Sequence, residues 1–202
     1  MWATGSGTAY GDVVMTADSY DVPPALGSVV EEGRGSLPFA LIHGEALVTA
    51  AVWALGESGV LPVDLGTEWT GLQESGEPFV LHDALCPMTP PRFIADCVAR
   101  AVESGAVVVG VRPVTDTVKV VEGETVGDTV DRAGLVVVCS PVVLPATVVA
   151  ELDSLPALDF AALVEQLEAR FPVQRVEAPS EARRVTSEDD VALLAALTQP
   201  LR

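Results

Sequence analysis

Two continuously apolar, β-branched runs, residues 106–111 (AVVVGV) and 135–139 (LVVVC), constrain this chain more than any other feature. Strands that are apolar on both alternating faces suit a sheet covered from both sides. Between the runs, residues 118–121 and 124–130 are shorter, partly polar strand candidates joined through Glu122-Gly123, a turn signal. The stretch therefore predicts a core strand, a hairpin that leaves the main body over residues 114–134, and a return strand buried like the first. Val118, Val120, Val121, Val126 and Val130 give the excursion more apolar side chains than an isolated two-stranded ribbon can cover. A second copy of the chain, related by a two-fold axis, is the expected cover.

The flanking sequence supplies helices. Leu47, Ala50, Ala51, Ala54 and Leu55 fall on one face of a helix over residues 45–57, with Gly59 as its stop. Thr89-Pro90-Pro91 opens a second helix, with Thr89 as N-cap, Ile94, Val98, Ala101 and Val102 as the apolar face, and Gly105 as its end. Together with a strand at 78–82 and the core strand, this predicts a βαβ unit, hence a parallel pair joined by a right-handed crossover. Downstream, residues 145–152 and 158–170 read as helices, 173–176 as a strand and 187–197 as a final helix whose first turn, Glu188, Asp189 and Asp190, complements the helix dipole. Alternating strands and helices make an α/β sandwich. Residues 21–38, broken by prolines and glycines, read as loop, and residues 60–76 carry little pattern. Residues 1–20 read as a loosely structured segment with a short strand at 12–15. Gly5-Ser6-Gly7 and Gly11 lack the preceding strand that a phosphate loop needs.

Length and charge narrow the function. A chain of 202 residues is expected to form one domain with a full core. Its formal net charge of -18 disfavours sequence-independent nucleic-acid binding and anionic membrane surfaces, both of which need clustered Lys and Arg. Lys119 is the only lysine, so any lysine-dependent mechanism must use it. Cys86, Cys97 and Cys139 are odd in number and have no CxxC spacing, which suggests neither a disulfide framework nor a zinc site. Neither a basic-then-apolar leader nor a membrane-length apolar run is apparent, so a cytoplasmic protein is expected.

Polar residues gather where the predicted strands end, the usual ligand rim of an open α/β sheet. Asp83 suits a divalent metal or a hydroxyl there, and equally suits a turn. Thr115, Asp116 and Thr117 lie on the same rim and suit a polyol as well as a turn. Arg132 follows Asp131, which is a ready partner for it. Arg183-Arg184 precede the last helix, so a phosphate could be held by guanidinium and helix N-terminus together, or the pair could balance Glu181 and Glu188 in solvent.

Four segments, His82-Asp83-Ala84, Pro113-Val114-Thr115-Asp116-Thr117-Val118-Lys119, Thr129-Val130-Asp131-Arg132-Ala133-Gly134-Leu135 and Arg184-Val185-Thr186-Ser187-Glu188-Asp189, resemble in order and spacing the methylerythritol phosphate cytidylyltransferases of isoprenoid precursor synthesis. The resemblance covers roughly residues 79–197, with a further match at 37–59. It implies a Rossmann-like three-layer sandwich of nucleotidyltransferase type, a homodimer held by the 114–134 arm, and CMP transfer from CTP to the polyol phosphate with Mg2+. It also implies roles. Asp83 is the metal and substrate aspartate, Arg132 joins it as a catalytic residue, and Thr115, Thr117, Arg132, Ser140, Arg184 and Thr186 contact the substrate.

The nucleotide half departs from that pattern. The family's AAGxGxRxGxxxPK loop is matched best by residues 25–33 followed by Leu37-Pro38-Phe39, which makes Gly27 and Ser28 the remnant of the CTP loop. Glu31 and Glu32 stand near the place of the loop arginine, and Phe39 replaces the lysine. Cys86 replaces the arginine of HDAARP, and residues 59–78 lack the GGxxRxxSV segment that reads cytosine. Each lost cation of such a site is typically worth about 3–4 kcal/mol of transition-state stabilisation. The expectation is thus an impaired or inactive transferase. The alternatives are a working transferase with a rewired loop and a non-catalytic dimer partner that binds a polyol phosphate or regulates an intact enzyme.

Overall fold

The computed structural model describes residues 23–114, 118–122, 125–132 and 134–199. The predicted N-terminal segment with its strand at 12–15, together with Thr115, Asp116, Thr117 and the turn at Gly123, lies outside the described residues. Six strands form the main sheet in the order β10-β6-β9-β5-β1-β4. They are β1 (Leu26–Val30), β4 (Leu61–Pro62), β5 (Phe79–Asp83), β6 (Val107–Pro113), β9 (Val136–Leu144) and β10 (Val173–Glu177). All neighbouring pairs are parallel except those of β9, which runs antiparallel to β5 and to β6. A short hairpin, β2 (Leu41–Ile42) and β3 (Glu45–Ala46), and a separate ribbon, β7 (Val118–Glu122) with β8 (Thr125–Val130), complete the strands.

Strand alternation explains the layers. Phe79, Leu81, Val107, Val109, Val142 and Leu144 face one side, where they pack with Leu72 of α2 (Trp69–Ser75), Val148 and Val149 of α4 (Ala146–Glu151) and Leu163 and Leu167 of α5 (Phe160–Glu168). Val80, Val108 and Val143 face the other side, against Ala54 and Leu55 of α1 (Leu47–Glu57) and Ile94, Cys97, Val98 and Ala101 of α3 (Pro91–Ser104). The result is the expected three-layer α/β sandwich. Val185 with Val191 and Leu194 of α6 (Glu188–Leu197) closes a smaller cluster on Ile42, Leu47 and Leu85. Among the described residues, no helix is long and apolar enough to cross a membrane.

Several expectations are corrected. Residues 26–30, read as loop, form β1, which lies in the main sheet between β5 and β4; residues 60–76, read as patternless, contain β4 and α2. β5 and β6 run in the same direction but are not paired, because β9 returns between them. The N-cap of α3 is Pro90, while the Thr89 hydroxyl donates to the Cys86 carbonyl at 2.8 Å. Val102 is 46% exposed and Cys97 takes the face expected of it, one turn above Ile94. The return strand is buried only from Cys139 onward. Leu135, Val136 and Val137 are exposed, because β9 there pairs with the far end of β6, beyond the helices that cover the sheet, at the base of the β7–β8 ribbon.

Candidate functional site

Asp83 is the last residue of β5 and stands at the carboxyl end of the parallel strands. Its side chain is 1% exposed and accepts three hydrogen bonds. Oδ1 accepts from Leu85 N at 3.0 Å and from Arg34 Nε at 3.1 Å, and Oδ2 accepts from Arg184 Nε at 3.1 Å. From below, Ser140 Oγ accepts from the Asp83 N–H at 3.0 Å. One carboxylate thus holds two guanidiniums that come from opposite directions, residues 49 and 101 positions away.

The loop after β1 brings the first of them. Gly33 and Gly35 both have positive φ, 73° and 63°, and bracket Arg34. That left-handed pair turns the backbone so that Arg34 points under the loop instead of into solvent. All three guanidinium nitrogens are used there. Besides Asp83, Nη1 donates to Glu32 O at 3.2 Å and Nη2 to Leu158 O at 2.8 Å, with the Phe160 ring centroid 5.7 Å from Cζ. The Arg34 side chain is 5% exposed. Its anchor on Leu158 lies just before α5, so the loop is fastened to the far helical layer.

Arg184 is brought by the approach to α6. Val185 N donates to Leu85 O at 2.8 Å, which lays the segment along the chain just past Asp83. Only Nε of Arg184 is spent, on Asp83, and its side chain is 27% exposed. Its two Nη atoms therefore face outward with no partner among the described residues.

Beneath the rim, His82 is fully buried, and its Nδ1 shares a hydrogen bond with Ser140 Oγ. Nε2 has no partner among the described residues. Burial moves the His82 pKa down to about 4, against a smaller upward pull from Asp83, so the ring is neutral near pH 7. The thiols of Cys86 and Cys139 beside this floor are pushed up, chiefly by burial.

Other predicted site residues are placed differently. Gly27 and Ser28 lie inside β1, not in a loop. A Cβ on Gly27 would come within 2.7 Å of Val60, and the Ser28 hydroxyl donates to Val63 O at 2.8 Å. They are sheet-packing residues, and the loop proper is residues 31–36. Ser140 is fully buried and reaches the rim only through Asp83 N. Thr186 gives both its N–H and its hydroxyl to Asp190 Oδ2, at 2.8 and 2.6 Å, and Ser187 Oγ accepts from Asp190 N. These bonds pull the Asp190 pKa below its ordinary range. The start of α6 is therefore satisfied in part by its own side chains, and Glu188, Asp189 and Asp190 set three carboxylates in its first turn. Arg132 is exposed, just past β8 at the foot of the ribbon. Thr115 and Thr117 lie outside the described residues. Arg34 was not singled out by sequence reasoning; the Gly-Arg-Gly spacing is the one signal that pointed to it.

A divalent cation does not fit at Asp83. Mg2+ wants near-octahedral oxygen ligands and open positions for water, whereas both Asp83 oxygens already face guanidiniums. No group of three His, Cys, Asp or Glu residues suited to a metal occurs among the described residues. Next to the loop, a cavity of about 380 Å3 beside Pro62 and Leu65 is lined by Glu31, Glu32 and Asp64 and by no basic side chain.

Comparisons with known proteins bear on the family and the fold. Residues 67–199 match the family model described as 2-C-methyl-D-erythritol 4-phosphate cytidylyltransferase. A protein of that description from Deinococcus radiodurans is 30% identical, with 87% of each chain covered. Another from Thermus thermophilus is 28% identical over 87% of this chain and 95% of its own. Among solved structures, the Thermus thermophilus 2-C-methyl-D-erythritol 4-phosphate cytidylyltransferase superposes with a TM-score of 0.64 at 23% identity, covering 85% of this chain and 96% of that one. A 4-diphosphocytidyl-2C-methyl-D-erythritol synthase gives 0.65 at 18% identity, covering 87% and 98%.

Proposed function

Since this chain belongs to the 2-C-methyl-D-erythritol 4-phosphate cytidylyltransferase family, we propose that it keeps the family's polyol phosphate side and has lost most of its CTP side. The observation that carries this reading is the unequal use of the two arginines on Asp83. Arg184 keeps both Nη atoms turned outward, fixed in direction by its Nε bond to the carboxylate, which suits a forked grip on a phosphate. Asp83 acts there as a positioning residue. Arg34, the loop's cation, is consumed inward, and the cavity beside the loop presents Glu31, Glu32 and Asp64. A triphosphate approaching those carboxylates is repelled, and charge developing during transfer meets no free cation on that side. Cytidylyl transfer slowed about a hundredfold or more follows from losing even one such group.

Calorimetry with CTP and with methylerythritol phosphate, each alone and with Mg2+, tests the reading. The polyol phosphate binds wild type without metal and does not bind Arg184→Ala, while CTP with Mg2+ gives no signal. Micromolar affinity for CTP would overturn it. A second reading, that the chain acts as a dimer partner, is favoured by Leu135, Val136 and Val137, three adjacent apolar residues exposed at the foot of the ribbon. An apolar strand end left open in this way is suited to cover by another subunit, either a second copy or an intact relative. Sedimentation equilibrium separates the two: a Val136→Lys, Val137→Lys variant becomes monomeric if this surface is the contact.

A further inference from the structure

The resemblance places a magnesium ion at Asp83, and the geometry places an arginine there. We infer that Arg34 is a cation built into the chain that occupies the coordination face of Asp83, so that the site carries permanent positive charge and excludes divalent metal. Three observations support this independently of what ligand the site takes. First, Arg34 approaches Oδ1 and Arg184 approaches Oδ2, each at 3.1 Å, so each oxygen already faces a guanidinium. One carboxylate against two guanidiniums leaves the cluster with a single net positive charge, which repels a second cation and still attracts an anion. Second, Arg34 is not a surface side chain that happened to fold inward. Its other nitrogens donate to the carbonyls of Glu32 and Leu158 and its Cζ lies 5.7 Å from the Phe160 ring centroid, so all three guanidinium nitrogens are engaged in a side chain only 5% exposed. Third, the backbone is shaped for this delivery. Gly33 and Gly35 hold positive φ on either side, and Arg34 N donates to Glu31 O at 3.2 Å to close the turn between them.

A bound metal exchanges with solvent and leaves when chelated, whereas a tethered guanidinium does neither. Ligand affinity at this rim is accordingly insensitive to Mg2+ and to chelators. Arg34 is thus the residue that sets the metal dependence of the site.

Mn2+ is the probe, because its electron paramagnetic resonance signal falls when it is bound. Wild type titrated to millimolar Mn2+ is expected to leave the free-ion signal unchanged. Arg34→Met keeps the stem against Phe160 but removes the charge, and it is expected to gain a bound Mn2+ that the added substitution Asp83→Asn removes. Arg34→Lys, which keeps the charge, is expected to stay free of metal and serves where Arg34→Met does not hold its circular dichroism spectrum. The inference is overturned if wild type binds Mn2+ and Asp83→Asn alone abolishes that binding. It is equally overturned if folded Arg34→Met takes up no more Mn2+ than wild type, or if Arg34→Lys binds it.

Discussion

The two sides of Asp83 look symmetrical by distance and are opposite in character. On the loop side, Arg34 is 5% exposed, makes three directed hydrogen bonds and ends on a carbonyl from the distant helical layer. Toward α6, Arg184 is 27% exposed and makes one. The first arrangement is that of a fastening, and the second is that of a hand held open. The same ion-pair length therefore says little about a residue's work; what decides it is how many donors remain. The acidic cavity beside the fastened side and the outward Nη atoms on the open side follow the same division.

Removing the shared carboxylate strikes both sides and has the largest effect. Asp83→Ala strands two guanidiniums, one of them buried, and is expected to destabilise the fold by about 3–5 kcal/mol in urea unfolding. Truncating the partners one at a time sharpens the contrast. Arg34→Ala leaves the buried carboxylate without its inner partner and is expected to cost nearly as much, whereas Arg184→Ala, partly exposed, costs about 1 kcal/mol. Equal losses from the two arginines would break the comparison.

The floor beneath both sides responds to pH. His82 is neutral in the fold with a pKa moved down to about 4, against an ordinary 6.5 when unfolded. The unfolded chain therefore binds more protons between those values, and stability rises with pH across that window. It is complete above about pH 6.5, is lost as pH falls towards 4, and loses nothing further from this group below that. The gap corresponds to about 3 kcal/mol. Urea midpoints at pH 7 and pH 4.5 check the sign, with His82→Asn expected to flatten the difference. A wild-type protein more stable at pH 4.5 than at pH 7 would contradict the buried, neutral ring.

How much of this was legible in the sequence differs from element to element. β6 and α3 were readable because their patterns are long and consistent: a β-branched run that must be covered twice, and a 3.6-residue period with proline at its start and glycine at its end. β1 was not. Its five residues, LGSVV, include a glycine and a serine and follow two prolines, so local composition argued for loop. The strand exists because Gly27 lets it close against Val60 and Val80, contacts made far along the chain. Strand order was hidden for the same reason: nothing local to residues 136–144 says that they insert between β5 and β6. At the candidate site, motif spacing singled out Asp83 and Arg184, which the fold brings together as an ion pair. Arg34 was not legible, because whether an arginine in Gly-Arg-Gly turns in or out depends on the Leu158 carbonyl, 124 residues away.

The smallest expected effect isolates the turn that makes the two sides unlike. A Cβ at Gly33 or Gly35 would meet no atom within 4 Å, so alanine at either place creates no clash. What it loses is ease of adopting positive φ, 73° and 63° respectively, which L side chains take up reluctantly. Gly33→Ala and Gly35→Ala are therefore each expected to cost about 1 kcal/mol, through the backbone alone. The strain has a cheap release, which is to let Arg34 swing out of its place beneath the loop. If the loop takes that release, the double variant exposes Asp83 on one edge, and its stability falls towards that of Arg34→Ala instead of showing the sum of two small conformational penalties. Amide hydrogen exchange distinguishes the outcomes. Faster exchange confined to residues 31–36, with Val185 N still protected through Leu85 O, means that only the loop side has opened. Faster exchange at Val185 as well would mean that the two arginines depend on each other through Asp83, and that the open side is held open by the fastened one.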